Sequence, residues 1–163
     1  MAVELKAVKI EKEKDDQVII GQGNFSIYTT DNIFRELLTT VPGIKCAVAM
    51  NEAEPKLVRF NQNDERLGKL ASKNALNLGA SHIFVIMIQG AYPINVLPTI
   101  RSIPGVCNIF VASANPIEAI IAETALGRAV LGVVDGTAVN SIETDEQRQG
   151  RRDLVKKIGY KLG

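Results

Sequence analysis

Tryptophan is missing from this chain, histidine occurs once, and aromatic residues reach only 5% of the composition. A groove for single-stranded nucleic acid needs stacking rings and a basic funnel, so this near-neutral chain with formal charge +1 is a poor candidate for one. The two cysteines, Cys46 and Cys107, stand far apart in apolar segments and form no CxxC pair. They read as reduced core thiols rather than as a disulfide framework. One histidine and two separated cysteines cannot furnish a Cys/His zinc site within one subunit, whereas plentiful carboxylates leave an oxygen-ligated Mg²⁺ open. The longest apolar run, residues 83 to 88, falls far short of the ~20 residues that cross a bilayer. The amino terminus alternates polar and apolar residues and lacks the apolar core of a signal peptide. The expectation is a soluble, cytoplasmic protein.

What is present is an ordinary globular composition, 46% hydrophobic and 23% charged over 163 residues. That length suits a single domain spanning residues 1 to 163. Over residues 3 to 14, alternation of Val3, Leu5, Ala7 or Val8, and Ile10 with Lys and Glu predicts a strand with one wet face. A turn at Asp15-Asp16 leads into a short strand, Val18 to Ile20, which Gly21-Gln22-Gly23-Asn24 should break. Thr30 or Asp31 opens a helix that Pro42-Gly43 ends. Strands follow at 44 to 50 and 56 to 60. A helix capped by Asn63 or Asp64 carries Leu67, Leu70, Ala71, Ala75 and Leu78 on one face until Gly79. The run Ile83 to Ile88 reads as a buried strand. Then come a short helix over 96 to 103, a strand at 106 to 113, a hairpin over 117 to 134, and a helix from about 144 to 158. The class is α/β, mixed α+β in detail: one compact domain with a mixed β-sheet flanked by helices.

The common phosphate loops fail letter by letter. Gly21-x-Gly23 needs a glycine where Ser26 stands, and Gly68-Lys69 lacks both the earlier glycine and the following Ser or Thr. No G-x-S-x-G elbow or kinase catalytic loop is present. The single histidine, His82, lies between Gly79-Ala80-Ser81 and the buried strand, at a strand mouth. A neutral imidazole is a nucleophile, so any histidine chemistry here has one possible author; the plainer role is a hydrogen-bonded strand cap. Other polar residues fall at the ends of apolar strands: Asn51, Glu52, Asn63, Asp64, Asn95, Ser113, Asn115 and Asp135. Each has a local explanation as a cap or turn residue, yet together they offer amide edges for a purine and carboxylates for Mg²⁺ or a ribose. The stretch from 148 onward carries six basic residues against Asp153 alone. The lysines suit the wet face of a helix whose Leu154, Ile158 and Leu162 pack inward, while Arg151 and Arg152 suit that face or a phosphate equally.

From Gly79 onward the chain carries Gly79-Ala80-Ser81-His82-Ile83-Phe84, Tyr92-Pro93-Ile94-Asn95-Val96-Leu97, Ala112-Ser113-Ala114-Asn115-Pro116-Ile117-Glu118 and Gly127 to Gly136, with Arg151-Arg152-Asp153-Leu154 and Gly159-Tyr160-Lys161 behind them. In these words, and in weaker ones from about residue 25, it resembles the adenosine-specific kinases, a family found mostly in archaea and some bacteria. The resemblance implies a compact α/β domain assembled as a homotrimer or hexamer, with adenosine or AMP in a cleft near the strand ends. It also implies a phosphohistidine, which maps onto His82, with ATP as phosphate donor. Mg²⁺ would sit on Glu52 or Asp135. Substrate contacts would come from Glu52, Asn63, Asn95, Asn115, Arg128 and Asp135. The alternative is an AMP-binding oligomeric module without turnover.

Overall fold

Strand β5 (Ile83–Gln89) organises the chain, because every residue from Ile83 to Ile88 is buried. A strand buried on both faces needs a layer on each side. The computed structural model describes residues 2–25 and 27–160. Before β5 the chain lays down β1 (Glu4–Lys9), β2 (Gln17–Gly23), α1 (Thr30–Thr40), β3 (Lys45–Asn51), β4 (Val58–Gln62) and α2 (Glu65–Leu78). After it come α3 (Pro93–Ser102), β6 (Val106–Ser113), β7 (Ile117–Glu123), β8 (Arg128–Asp135) and α4 (Asp145–Lys157).

The α/β class is as expected, in two sheets rather than one. A five-stranded sheet runs β4-β3-β5-β2-β6 and a three-stranded sheet runs β1-β7-β8. Every pairing in both is antiparallel, where the sequence suggested a sheet of mixed direction. Side-chain alternation along β5 separates the two cores. Phe84, Ile86 and Ile88 pack with Ile33 and Leu37 of α1 and with Val96 and Ile100 of α3. Ile83, Val85 and Met87 pack with Leu67, Ala71, Ala75 and Leu78 of α2 and with Ala119 and Ile121 of β7. The three-stranded sheet and α2 therefore share one face of the larger sheet, and α1 and α3 cover the other.

Local signals set most boundaries. Thr29, one residue before the expected cap, takes the N-cap of α1 and forms a capping box with Asn32. Asp64, the second of two candidates, caps α2 by accepting from the Leu67 amide, and Gly79 ends that helix at φ 61°. Helix α3 starts earlier than expected because Pro93 tolerates the first turn, where its missing N–H costs nothing. The turn before β2 is tied to α2 by Arg66, which donates to both carboxylate oxygens of the buried Asp16 at 2.7 Å. Burial alone would raise the Asp16 carboxyl, but hydrogen bonds from Arg66 and the Glu13 amide, with the Arg66 charge, bring it below the ordinary aspartate value.

Three expectations change. Strand β2 does not break at Gly21 but runs on through Gly23 with register shifts, since these glycines serve close packing rather than a loop. A Cβ on Gly21 would lie 2.3 Å from the Phe84 ring and 2.6 Å from the Asn108 carbonyl. Cys46 is buried, its thiol pushed up to about 11 by desolvation, whereas Cys107 is exposed on the edge strand β6 and is not a core thiol. Helix α4 forms as expected, yet none of its residues is buried: Leu154 and Ile158 are 58% and 49% exposed, and Leu162 lies outside the described residues. Among the described residues no helix is long and apolar enough to cross a membrane.

The Gly21 contact can be measured. Gly21→Ala should destabilise the fold by about 1–3 kcal/mol, read by chemical denaturation, because the fully buried Phe84 ring has no room to retreat. An unchanged midpoint would mean that the β2 bulge relaxes freely.

Candidate functional site

The strand register divides the predicted residues between two ends of the larger sheet. Met50 of β3 pairs with Phe84 and Gln22 of β2 with Ile83, so Asn51 and Gly23 lie at the entry of β5. Lys45 pairs with Gln89, Gln17 with Ile88, and Val18 with Ser113, so these mark its exit. The seven residues of β5 put about 20 Å between the ends. His82 and Glu52 stand at the entry. Arg128 reaches the same end through α2, since its Nη1 donates to the Asn77 carbonyl at 3.4 Å. Asn63, Asn95, Asn115 and Asp135 belong to the exit end, so within one chain the seven residues do not share a cleft.

At the exit end, local chemistry already occupies these side chains. Asn63 accepts from the Cys46 amide and donates to the Ile44 carbonyl, both at 2.8 Å, and so pins the start of β3. Asn95 accepts from the Tyr92 amide at 2.9 Å, closing the capping box of α3. Asp135 Oδ1 accepts from Ser113 Oγ at 2.6 Å and from Asn115 Nδ2 at 3.0 Å, while Ser113 Oγ accepts from the Asn115 amide. This triad fastens the β6–β7 turn to the end of β8. Arg151, left open between a wet face and a phosphate, makes a two-pronged pair with Glu143 at 3.1 and 2.8 Å.

The entry end is built differently. Gly79 closes α2 in the left-handed conformation, and the chain then turns through Ala80-Ser81-His82-Ile83, with the Ile83 amide donating to the Ala80 carbonyl at 3.3 Å. Among the described residues His82 is the only non-glycine at positive φ, at 63°. That places it at the third position of a type II turn, where glycine is the usual occupant. Two strands hold it there. The His82 amide donates to the Asn51 carbonyl at 2.8 Å, and its carbonyl accepts from the Gly23 amide at 2.9 Å. The backbone thus plays the strand-cap role expected of a structural histidine, while the half-buried imidazole has no hydrogen-bond partner among the described residues.

Beside the turn lies a cavity of about 330 Å³ whose lining includes Asn51, Glu52, Lys56, Gly79, Ser81 and Arg128. That volume is at the small end of the range for ligand sites. Other hollows are larger: two of about 400 and 490 Å³ lie along β4, and two of about 830 and 760 Å³ open at the exit end, the first mostly apolar beneath α4 and the second beside the β1–β2 turn. The cavity beside the turn carries the stronger chemical case because Gly79 and Ser81 of the histidine's own turn line it and it contains both charge signs. Glu52 meets Arg59 at 3.3 Å, and Arg128 meets Glu123 at 3.3 Å. The Glu123 carboxyl is held below its usual value by the Lys6 hydrogen bond, with the Arg128 charge assisting. Lys56 joins the site only through folding and does not stand out in the sequence, whereas Ser81 was legible as part of the turn before His82 though it was given no role. Asn51 was legible there as the one amide ending the otherwise apolar run Cys46 to Met50.

The two alternative magnesium candidates, Glu52 and Asp135, stand at opposite ends of the sheet, and only Glu52 lies at the end that carries His82. No group of three His, Cys, Asp or Glu side chains converges among the described residues. Glu52 by itself fits the remaining case, because Mg²⁺ commonly takes one or two carboxylates together with substrate phosphates.

A sequence model described as adenosine specific kinase matches residues 8–161 of the chain. The crystal structure of the PH1918 protein from Pyrococcus horikoshii OT3 is 58% identical in sequence. It superposes with a TM-score of 0.95 over 99% of this chain and 100% of that one. Comparison with curated proteins finds no match.

The turn geometry yields a test of whether the ring serves the fold. A non-glycine residue in left-handed conformation costs about 1–2 kcal/mol, partly offset on mutation by the greater unfolded-state freedom of glycine. His82→Gly should therefore leave the melting temperature unchanged or raise it by a few degrees. A clear drop in stability would make the imidazole a packing element.

Proposed function

The chain belongs to the adenosine-specific kinase family, and from that membership we propose that it binds adenosine or AMP and moves a phosphoryl group through His82. The observation that carries the reading is His82 itself: a non-glycine held at φ 63° by two strands, with its ring unbonded among the described residues, in a turn whose Gly79 and Ser81 line a charged cavity. Residues kept in costly backbone conformations cluster at functional sites, because selection retains them for what the side chain does.

The lone pair of the unprotonated ring nitrogen attacks the terminal phosphorus of ATP. An N–P bond forms, the P–O bond to the leaving ADP breaks, and ADP takes the electron pair. The 5′-hydroxyl oxygen of adenosine then attacks phosphorus, the N–P electrons return to the ring, and the hydroxyl proton leaves to solvent. The products are ADP, AMP and a proton. Phosphoryl transfer needs alignment and charge neutralisation above all. The turn supplies alignment, and Arg128 and Lys56 supply positive charge at the cavity. Mg²⁺ carried in with the nucleotide would add charge neutralisation at its phosphates, with Glu52 as the protein carboxylate beside it. Asn95, Asn115, Asn63 and Asp135 could reach nucleotide at His82 only from another subunit.

Assembly is the second part of the proposal. Leu154 on α4 and Ile158 at its C-cap, Val139 and Ile142 before it, and Leu5 and Leu131 on the outer sheet are all exposed. Other copies of this chain are the occupant best suited to so many apolar side chains on one molecule. Light scattering should give a mass of three or six chains; a monomer at micromolar concentration would remove this part.

Intact mass of wild type and His82→Gln after incubation with ATP and Mg²⁺ tests the chemistry. We expect an acid-labile gain of about 80 Da, one phosphoryl, on wild type alone. Equal gain on the variant overturns the covalent mechanism. No gain on either, with AMP still bound, leaves a nucleotide-binding module without transfer.

A further inference from the structure

Asn51 is 7% exposed and ends a strand of apolar residues, in a place where an unpaired amide would be expensive. Its side-chain amide donates twice, and both bonds go to the segment that leads into His82. Its Nδ2 donates to the Ala75 carbonyl at 2.8 Å, in the last turn of α2, and to the Ala80 carbonyl at 3.0 Å, the first residue of the turn. Its own carbonyl accepts the His82 amide at 2.8 Å. One residue therefore grips the end of α2, the start of the turn and the histidine at its third position. The Ala75 carbonyl also takes the Gly79 amide and the Ala80 carbonyl also takes the Ile83 amide, so Asn51 adds a second donor to each of the two bonds that shape the turn.

We propose that Asn51 is the positioning residue for His82: its side-chain amide locks the Ala75–His82 segment and so holds His82 in its left-handed conformation, in the turn whose Gly79 and Ser81 line the cavity. The inference rests on the reading of His82 as the phosphoryl-accepting group. The lock sits on the cavity side of α2 and uses no charge, so it holds the ring without competing for an anionic ligand. A reactive group displaced by about an ångström loses on the order of a hundredfold in rate, which makes such a clamp functionally visible.

Asn74 provides an internal control. It too is a buried asparagine, here on α2, gripping backbone in two directions, accepting from the Glu11 amide at 2.8 Å and donating to the Glu11 carbonyl at 2.7 Å, so its backbone bonds tie α2 to the segment after β1 and not to the turn. With only one histidine in the chain, ring NMR gives a single imidazole signal that reports on His82 alone. Asn51→Ala and Asn51→Asp, each verified as folded by its amide spectrum, should shift or broaden that signal. They should also lower the rate of phosphoryl uptake from ATP by about tenfold or more while AMP affinity changes little, and Asn74→Ala should do neither. A wild-type ring signal and uptake rate in folded Asn51→Ala overturns the proposal, and so does an Asn51→Ala chain that cannot fold while Asn74→Ala can. If wild type takes up no phosphoryl, the covalent reading fails, and the ring signal of the Asn51 variants still decides whether the residue positions His82.

Discussion

Burial of β5 on both faces is the constraint from which the rest of the molecule follows. Because Ile83 to Ile88 must be covered on two sides, the strand takes the centre of its sheet, with β3 and β2 bonded along its edges and a helical layer on one face. The other face receives α2 and the three-stranded sheet, whose own apolar side needs the same core. A slip of one residue would exchange the two sets of side chains, placing Phe84 among residues sized for Val85, so the register is fixed on both edges at once. Rigidity at the strand entry is a consequence, since both neighbours continue past Ile83 and bond the residue before it.

That residue is His82, and its position explains how an unfavourable backbone conformation persists. The two backbone bonds to Asn51 and Gly23 come from strands already locked by the core, and the Asn51 side chain ties the same segment to α2. Together they hold a turn that glycine would occupy at lower cost. On the proposed role of His82, stability and chemistry pull apart here: the fold tolerates strain at one residue while a ring stands where a hydrogen atom would suffice for the turn.

The exit end shows the opposite use of polar side chains. Asn63, Asn95, Asn115 and Asp135 satisfy amides, carbonyls and each other at strand starts, helix starts and turns. In a small domain with two cores there are many chain reversals, and each leaves backbone groups that side chains must pair. Amides and short carboxylates are therefore common at strand ends for reasons of satisfaction alone. Their presence near apolar strands in a sequence does not distinguish a reversal from a binding cleft.

The order of elements, the buried strand, the helix stops at Pro42-Gly43 and Gly79, the β7–β8 hairpin and the family resemblance were all legible in the sequence, because each depends on residues close along the chain or on its periodicity. The strand mouth at His82 was legible for the same reason. Tertiary structure decided that β2 runs through its glycines, since only the Phe84 ring shows why no Cβ fits there. It decided that the strands form two antiparallel sheets, that α4 packs no side chain into the core of its own chain, and that seven polar residues fall at two ends about 20 Å apart. It also turned His82 from a residue at a strand end into a strained one and gave Asn51 its three bonds to a single segment. Which end of a strand a side chain occupies, and what lies across from it, depends on pairing between residues distant in the chain, and local pattern carries no record of that pairing.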